Sequence, residues 1–115
     1  MEVEMNELVL TAKIKVMIRR EFPGTYVQRV SDRFLSGIPD LRVVCFGLSG
    51  DIEIKLPGKG KQSEPSPIQK KVLENISAAG GHCGVVKTVE EARAFMTVLY
   101  KKGRAYHESC IRKNT

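Results

Sequence analysis

The sequence contains few cysteines, no tryptophan and no long apolar run. Its three cysteines, Cys45, Cys83 and Cys110, are odd in number and widely spaced, so they imply no disulfide framework and favour a reducing, intracellular compartment. No apolar run approaches the length needed to cross a membrane, and three of the first seven residues are acidic. We therefore expect neither a transmembrane helix nor a secretory signal, and the sequence also lacks internal repeats and low-complexity segments.

Two ligand-binding patterns are missing as well. His82-Cys83 and His107-x-x-Cys110 do not have the spacing of a zinc site, so we expect a buried Cys83 on a strand instead. The glycine-rich segment 57–65 does not match the phosphate-binding loop pattern. Nucleotide hydrolysis therefore has no support in this sequence.

The chain is basic, and its hydrophobic content is ordinary for a globular protein. With 115 residues, 42% hydrophobic and 28% charged, it is long enough for one globular domain with a modest core. The formal net charge of +6 attracts polyanions such as DNA or RNA, and it is also compatible with an acidic protein surface.

Hydrophobic periodicity and capping signals predict a small α/β domain. We expect a mixed β-sheet of about four strands flanked by helices, with a β-α-β crossover before the last strand. The predicted order is α-β-β-β-α-β-α: a helix from Asn6 to about Phe22, strands over 26–30, 41–46 and 52–56, a helix from Ser66 to about Ala79, a strand over 82–87, and a helix from Thr88 that ends at Gly103. This gives a single domain over residues 1–103 and a basic C-terminal tail over 104–115, expected to be disordered until it meets DNA or a second subunit.

The stretch around the central hairpin carries a pattern of charged residues suited to metal-dependent chemistry. Asp51, Glu53 and Lys55 alternate along one strand and therefore share a face. Asp40 and Glu53 supply the carboxylate oxygens that Mg²⁺ prefers, and a lysine at position 55 suits stabilisation of charge on a phosphate. The alternative is that Asp40 is a turn residue and that Asp51, Glu53 and Lys55 form the solvated face of an edge strand.

Simple pairing of this hairpin does not bring the two carboxylates together. A turn centred on residues 47–50 sets Glu53 opposite roughly Val44, which leaves Asp40 about four residues, or ~13 Å, further along its strand. Convergence therefore requires a strong twist, a bulge near Asp40 or a different pairing offset.

Three motifs in order resemble the VRR-NUC domain of the PD-(D/E)xK nuclease superfamily: Gly37-Ile38-Pro39-Asp40-Leu41, Glu53-Ile54-Lys55 and Ser66-Pro67-x-Gln69, within a match over about residues 7–95. The resemblance implies a restriction-endonuclease-like core and a metal-dependent DNA endonuclease. It also implies branched DNA such as four-way (Holliday) junctions as substrate, a homodimer, and a location in the cytoplasm of a bacterial or virus-infected host cell.

The same resemblance assigns roles to individual residues. It makes Asp40, Glu53 and the backbone carbonyl of Ile54 ligands of Mg²⁺ or Mn²⁺, and Lys55 the catalytic lysine. Gln69 becomes an active-site residue and Glu7 the acidic residue of the first helix.

Both of the last two residues have a structural alternative. Gln69 completes a capping box with Ser66, and Glu7 lies in a first helical turn, where the helix macrodipole favours negative charge.

Basic residues near the proposed site are candidates for contacts with DNA phosphates. Guanidinium groups match phosphate geometry, so we expect Arg29 and Arg33 to bind phosphate unless they pair with Asp32 or Glu21 instead. Lys59 and Lys61 lie in a loop that either closes on DNA or is a solvated connector.

Two other functions remain open at this stage. One is a catalytically inactive nucleic-acid-binding module with a nuclease fold, against which the intact set of Asp40, Glu53 and Lys55 argues. The other is an RNA-binding or assembly protein of the ribosomal type, which explains charge and size but leaves the order of the motifs to coincidence.

Overall fold

The first helix begins at the predicted cap. A computed structural model describes residues 5–30, 36–58, 60 and 63–113. In it α1 spans Glu7–Glu21, and the Asn6 side chain accepts a hydrogen bond from the backbone N–H of Val9 at 2.9 Å. Phe22 is the C-cap of the helix and directly precedes Pro23. This helix is confirmed as predicted.

A four-stranded mixed sheet forms the centre of the domain. Its strands are β1 (Tyr26–Arg29), β2 (Leu41–Cys45), β3 (Leu48–Ile54) and β4 (His82–Val86), in the spatial order β1-β2-β3-β4. The first two pairings are antiparallel, whereas β3 and β4 run parallel. The α/β class, the element order and the mixed sheet are confirmed.

The β2–β3 hairpin is tighter than the sequence suggested. Its turn consists of Phe46 and Gly47, which both have positive φ angles of 52° and 83°. Leu41 pairs with Ile52, so the same register places Asp40 beside Glu53. The predicted turn over 47–50 was wrong, and the different offset is what brings the two carboxylates together.

The second helix crosses from β3 to β4. α2 spans Pro67–Ala78 and begins with a complete capping box, in which Ser66 Oγ accepts from the Gln69 N–H and Gln69 Oε1 accepts from the Ser66 N–H. The Sγ of Cys83 donates to the carbonyl of Leu73 in α2, so the side chain of Cys83 faces this helix. The predicted crossover helix is confirmed.

The third helix is longer than predicted. α3 spans Val89–Lys113 and continues through Gly103, so the predicted end at Gly103 was wrong. A Cβ added at Gly103 would lie 2.9 Å from the carbonyl oxygen of Cys45 and 3.1 Å from Cβ of Phe46. The glycine therefore permits close packing of the helix on the hairpin and does not terminate it, and most of residues 104–113 extend from the domain as exposed helix.

The core lies between the sheet and two of the helices. Gly84 of β4 faces Phe95 of α3, and its neighbour Cys83 faces α2, so α2 and α3 lie on opposite faces of the sheet. The buried hydrophobic side chains are Leu10, Ile14, Met17, Ile18, Phe22, Leu41, Val43, Cys45, Ile52, Ile54, Val86, Ala92, Met96 and Leu99. Within the described ranges, none of the helices is both long and apolar enough to span a bilayer.

Candidate active site

Glu53 is the buried acidic residue at the centre of the site. Ile52 and Ile54 on either side of it are buried in the core, so the side chain of Glu53 points to the opposite face of the sheet, toward α2. It is only 2% exposed. Gln69 Nε2 donates a hydrogen bond to Glu53 Oε1 at 3.2 Å, and no group in the described part of the chain donates to Oε2. A buried carboxylate oxygen without a partner is costly unless a proton or a cation satisfies it.

Asp40 is held against β3 by the backbone. The N–H of Ile54 donates to Asp40 Oδ2 at 2.7 Å, a short charge-assisted hydrogen bond. The carbonyl of Asp40 also accepts from the N–H of Val30, which extends the β1–β2 pairing past Leu41. Asp40 is therefore fixed on both sides, and its carboxylate lies next to that of Glu53.

The proximity of these carboxylates changes the proton affinity of Glu53. Burial is the main cause that raises the pKa of Glu53, from 4.5 to about 8. A hydrogen bond with Asp40 and its negative charge raise this pKa further, and the charge of Glu7 adds to it, whereas Lys55 lowers it. Without a cation the pair therefore holds a proton near neutral pH.

Lys55 is the third charged residue of the site and directly follows β3, two residues after Glu53. Its Nζ lies 3.9 Å from Glu53 Oε1, and its side chain is 15% exposed. An ammonium group at this position reaches the edge of the carboxylate centre and remains open to an incoming phosphate. The expected alternation of Glu53 and Lys55 therefore gives a buried acid beside a cation, and the alternative of a fully solvated strand face does not describe these two residues.

Gln69 both caps α2 and contacts Glu53. Its Oε1 accepts from Ser66 N–H at 2.8 Å and so caps α2, while its Nε2 contacts Glu53 Oε1. The capping interaction thus fixes the amide in the orientation that points its N–H group at the buried carboxylate.

The loop before Asp40 is packed against the beginning of α2. Gly37 has φ +83°, and a Cβ there would lie 2.7 Å from Cγ2 and 3.1 Å from the backbone carbonyl carbon of Ile68. This close approach joins the segment that carries Asp40 to the turn of helix that carries Gln69. The role of Gly37 was not predicted, although an isolated glycine before Ile-Pro-Asp is a recognisable signal of such an approach.

Glu7 lies at the rim of the same site. It lines a cavity of about 310 Å³ together with Asp40, and its charge influences the pKa of Glu53. It is also the acidic residue in the first turn of α1, so its favourable position relative to the helix macrodipole coexists with a place near the carboxylates. Leu8 and Thr11 line this cavity too and were missed, although Thr11 follows Glu7 by one helical turn.

Of the predicted phosphate contacts, Arg29 can be located. It lines the cavity that Glu7 and Asp40 share. Its alternative partner Glu21 is engaged elsewhere, since both oxygens of that carboxylate accept from Arg93, at 2.7 and 2.8 Å. Arg33, Lys59 and Lys61, and the other alternative partner Asp32, lie outside the described residues.

The donor set suits a hard divalent cation. Two adjacent carboxylates, one with a buried oxygen to which no described group donates, offer oxygen ligands of the kind that Mg²⁺ binds while it keeps several waters. The described ranges contain no group of three or more His, Cys, Asp or Glu side chains placed to hold a metal, so a cation here would take its other ligands from backbone carbonyls and water. The ring of His82 lies against Phe95 and the ring of His107 lies against Phe46.

Comparisons with known proteins bear on the fold. A scan against models of protein families finds no match, and neither does a search of curated proteins. Among solved structures, one described as a VRR_NUC domain is similar to this chain, with 24% sequence identity and a TM-score of 0.59, over 75% of this chain and 92% of that one. The chain therefore has the fold of a VRR_NUC domain, and the resemblance inferred from its three motifs is confirmed at the level of the fold.

Proposed function

We propose that this protein is a DNA endonuclease that depends on Mg²⁺ or Mn²⁺ and hydrolyses phosphodiester bonds. The observation that carries the proposal is the convergence of Asp40, Glu53 and Lys55 around a buried carboxylate oxygen without a donor. Asp40 is brought there from a different strand by the hydrogen bond from the N–H of Ile54, 14 residues further along. A solvated surface needs no such arrangement.

The residues that would hold the cation are Asp40, Glu53 and the backbone carbonyl of Ile54. When bound, a divalent cation lowers the pKa of a coordinated water and stabilises negative charge on a phosphate. Gln69 binds one oxygen of Glu53 and leaves Oε2 free for a ligand. The proton that Glu53 holds near neutral pH must leave before that oxygen can coordinate, so cation binding releases a proton here.

Lys55 would act on the phosphate. Its ammonium group lies within 3.9 Å of Glu53, so a phosphate at the carboxylate centre is in reach of its N–H donors. Donors aimed at the position where negative charge develops lower the barrier of such reactions. Glu7, which lines the cavity with Asp40, would add a further negative charge that favours retention of the cation.

The proposed substrate is branched DNA, in particular a four-way (Holliday) junction. The net charge of +6 supports binding of a polyanion, with Arg29, Arg33, Lys59 and Lys61 as the proposed phosphate contacts. One chain supplies one pair of Asp40 and Glu53, so symmetric cuts in a junction require a homodimer. We place this activity in the cytoplasm of a bacterial or virus-infected cell, where unpaired cysteines remain reduced.

The test is cleavage of a labelled four-way junction and a matched linear duplex in Mg²⁺, Mn²⁺ or EDTA. We expect metal-dependent, symmetric nicking of the junction, and a loss of about 100-fold or more in Asp40→Asn, Glu53→Gln and Lys55→Ala. Asp51→Asn is the matched control, because Asp51 lies on the same face of β3 but pairs with Arg42 at 3.4 Å. It should cut like the wild type.

Two outcomes would contradict the proposal. Binding of the junction without cleavage in either metal would identify an inactive nucleic-acid-binding module. Equal loss in Asp51→Asn and Glu53→Gln would show that any charge change on this strand impairs the protein, and the carboxylate centre would have no special role.

A further inference from the structure

The cavity beside Asp40 has features that binding of a cation does not use. It measures about 310 Å³, at the lower end of the range for small-molecule sites, and accommodates a group the size of one nucleotide. Its lining comes from the first turn of α1, the end of β1 and the start of β2, with the residues Glu7, Leu8, Thr11, Arg29, Asp40 and Ile54.

Leu8 is the exposed apolar part of this lining. Its side chain is 61% exposed, the largest value among the exposed large hydrophobic residues of the described chain, although it directly follows Glu7 at the rim of the carboxylate centre. Ile54, the other aliphatic residue of the lining, is 1% exposed and belongs to the core. Leu8 thus offers a free apolar surface inside an otherwise polar cavity.

The polar part of the lining suits the rest of a nucleotide. The side chain of Arg29 makes no hydrogen bond or ion pair with the described residues, so its guanidinium group is available to a phosphate. The hydroxyl of Thr11 donates to the Glu7 carbonyl at 2.7 Å, which leaves its lone pairs to accept from a ligand.

We propose that this cavity binds an unpaired nucleotide next to the scissile phosphate, with the base against Leu8 and its phosphate on Arg29. This inference rests on the proposed nuclease function and deepens it. In a continuous duplex every base is stacked and paired, so only sugars and phosphates reach a concave site. Extrusion of a base costs unstacking and unpairing, and this cost is smallest where the base is already unpaired. The cavity therefore favours DNA in which a base at the cut is unpaired or opens easily, as a base at the branch point of a junction does.

The first measurement is binding, which needs no catalysis. A duplex with a single bulged 2-aminopurine is titrated in EDTA and compared with a duplex of the same length in which the 2-aminopurine is paired. We expect the wild type to bind the bulged duplex more tightly and to change the fluorescence of the bulged base. In Leu8→Ala, affinity for the bulged duplex should fall about five- to tenfold and the fluorescence change should be lost, with no change for the paired duplex.

Val16→Ala is the matched control. Val16 is an exposed aliphatic residue of the same helix, 44% exposed, and does not line the cavity. Both positions are on the helix surface, so neither alanine disturbs the core and both favour the helix. Val16→Ala should bind both duplexes like the wild type.

Cleavage of the same two duplexes and of the four-way junction in Mg²⁺ separates the two proposals. If none of the three is cut but the fluorescence change depends on Leu8, the nuclease proposal fails and the nucleotide site stands. The nucleotide site is refuted, and the nuclease proposal stands, if DNA is cut but Leu8→Ala has the same effect on both duplexes. That effect could be an equal loss of binding and cutting, or no loss at all.

Discussion

Replacement of Glu53 by glutamine should make the metal-free protein more stable at alkaline pH while it abolishes cleavage. Glutamine has nearly the same shape as glutamate. Its Oε1 can still accept from Gln69, and its amide can donate to the carboxylate of Asp40, where protonated Glu53 donates in the wild type. The substitution therefore removes the charge and keeps the contacts.

The magnitude follows from the pKa of Glu53. This pKa is raised from 4.5 to about 8 in the folded chain, so between these pH values the folded state holds a proton that the unfolded state has released. The contribution of this proton to stability is fully present below pH 4.5 and is lost as the pH rises through about 8. At ~1.4 kcal/mol per pKa unit the total is about 3 to 5 kcal/mol.

The assay is urea unfolding of both proteins in EDTA at pH 5 and pH 9. Glutamine at position 53 does not titrate, and all other acidic groups are common to both proteins, so the difference between them isolates Glu53. We expect nearly equal free energies of unfolding at pH 5 and a variant more stable by about 3 kcal/mol or more at pH 9. A difference below about 1 kcal/mol at pH 9 would refute the argument that Glu53 is costly to ionise in this site.

Three other changes test the packing and the cation site. Gly103→Val should lower the free energy of unfolding by about 1–3 kcal/mol in urea, since its side chain would overlap the carbonyl of Cys45. Gly37→Ala should cost about 1–3 kcal/mol and reduce cleavage, because its φ is +83° and its methyl group would overlap Ile68. Mg²⁺ at 100 times its dissociation constant should stabilise the wild type by about 2.7 kcal/mol in thermal unfolding, and Glu53→Gln should show little of this gain. An unchanged stability in either glycine variant, or equal gains in both proteins, would contradict these expectations.

The sequence predicted the elements of the fold but not two of their ends. Periodicity and capping signals located both α1 and α2, because their caps, Asn6 and Ser66, act locally. The hairpin turn was misplaced because it uses Phe46 at φ 52°, an uncommon conformation for an aromatic residue, which here accompanies ring contacts with Tyr100 and His107. Gly103 was misread because a glycine that ends a helix and one that lets a helix approach a strand look alike in sequence.

The same limit applies to the site. The motifs predicted Asp40 and Glu53 as site residues, but whether the two carboxylates meet depends on the offset of the hairpin, which the misplaced turn had set wrongly. The cavity lined by Leu8 and Arg29 could not be predicted, because it joins the start of a helix to the end of a strand through packing in the core. Long-range register, and not residue identity, was the missing information.

The helix α2 is only weakly anchored, although it carries part of the candidate site. None of the residues in α2 is fully buried, yet this helix covers Glu53 and supplies the amide of Gln69. Such a segment opens at a lower free energy than the core helices do. Its amide hydrogens should therefore exchange with solvent earlier than those of α1, and each opening would hydrate Glu53 and disrupt the proposed active site while the rest of the domain stays folded. In the proposed nuclease, catalytic competence is then a local equilibrium that a bound partner can shift without any change in the fold.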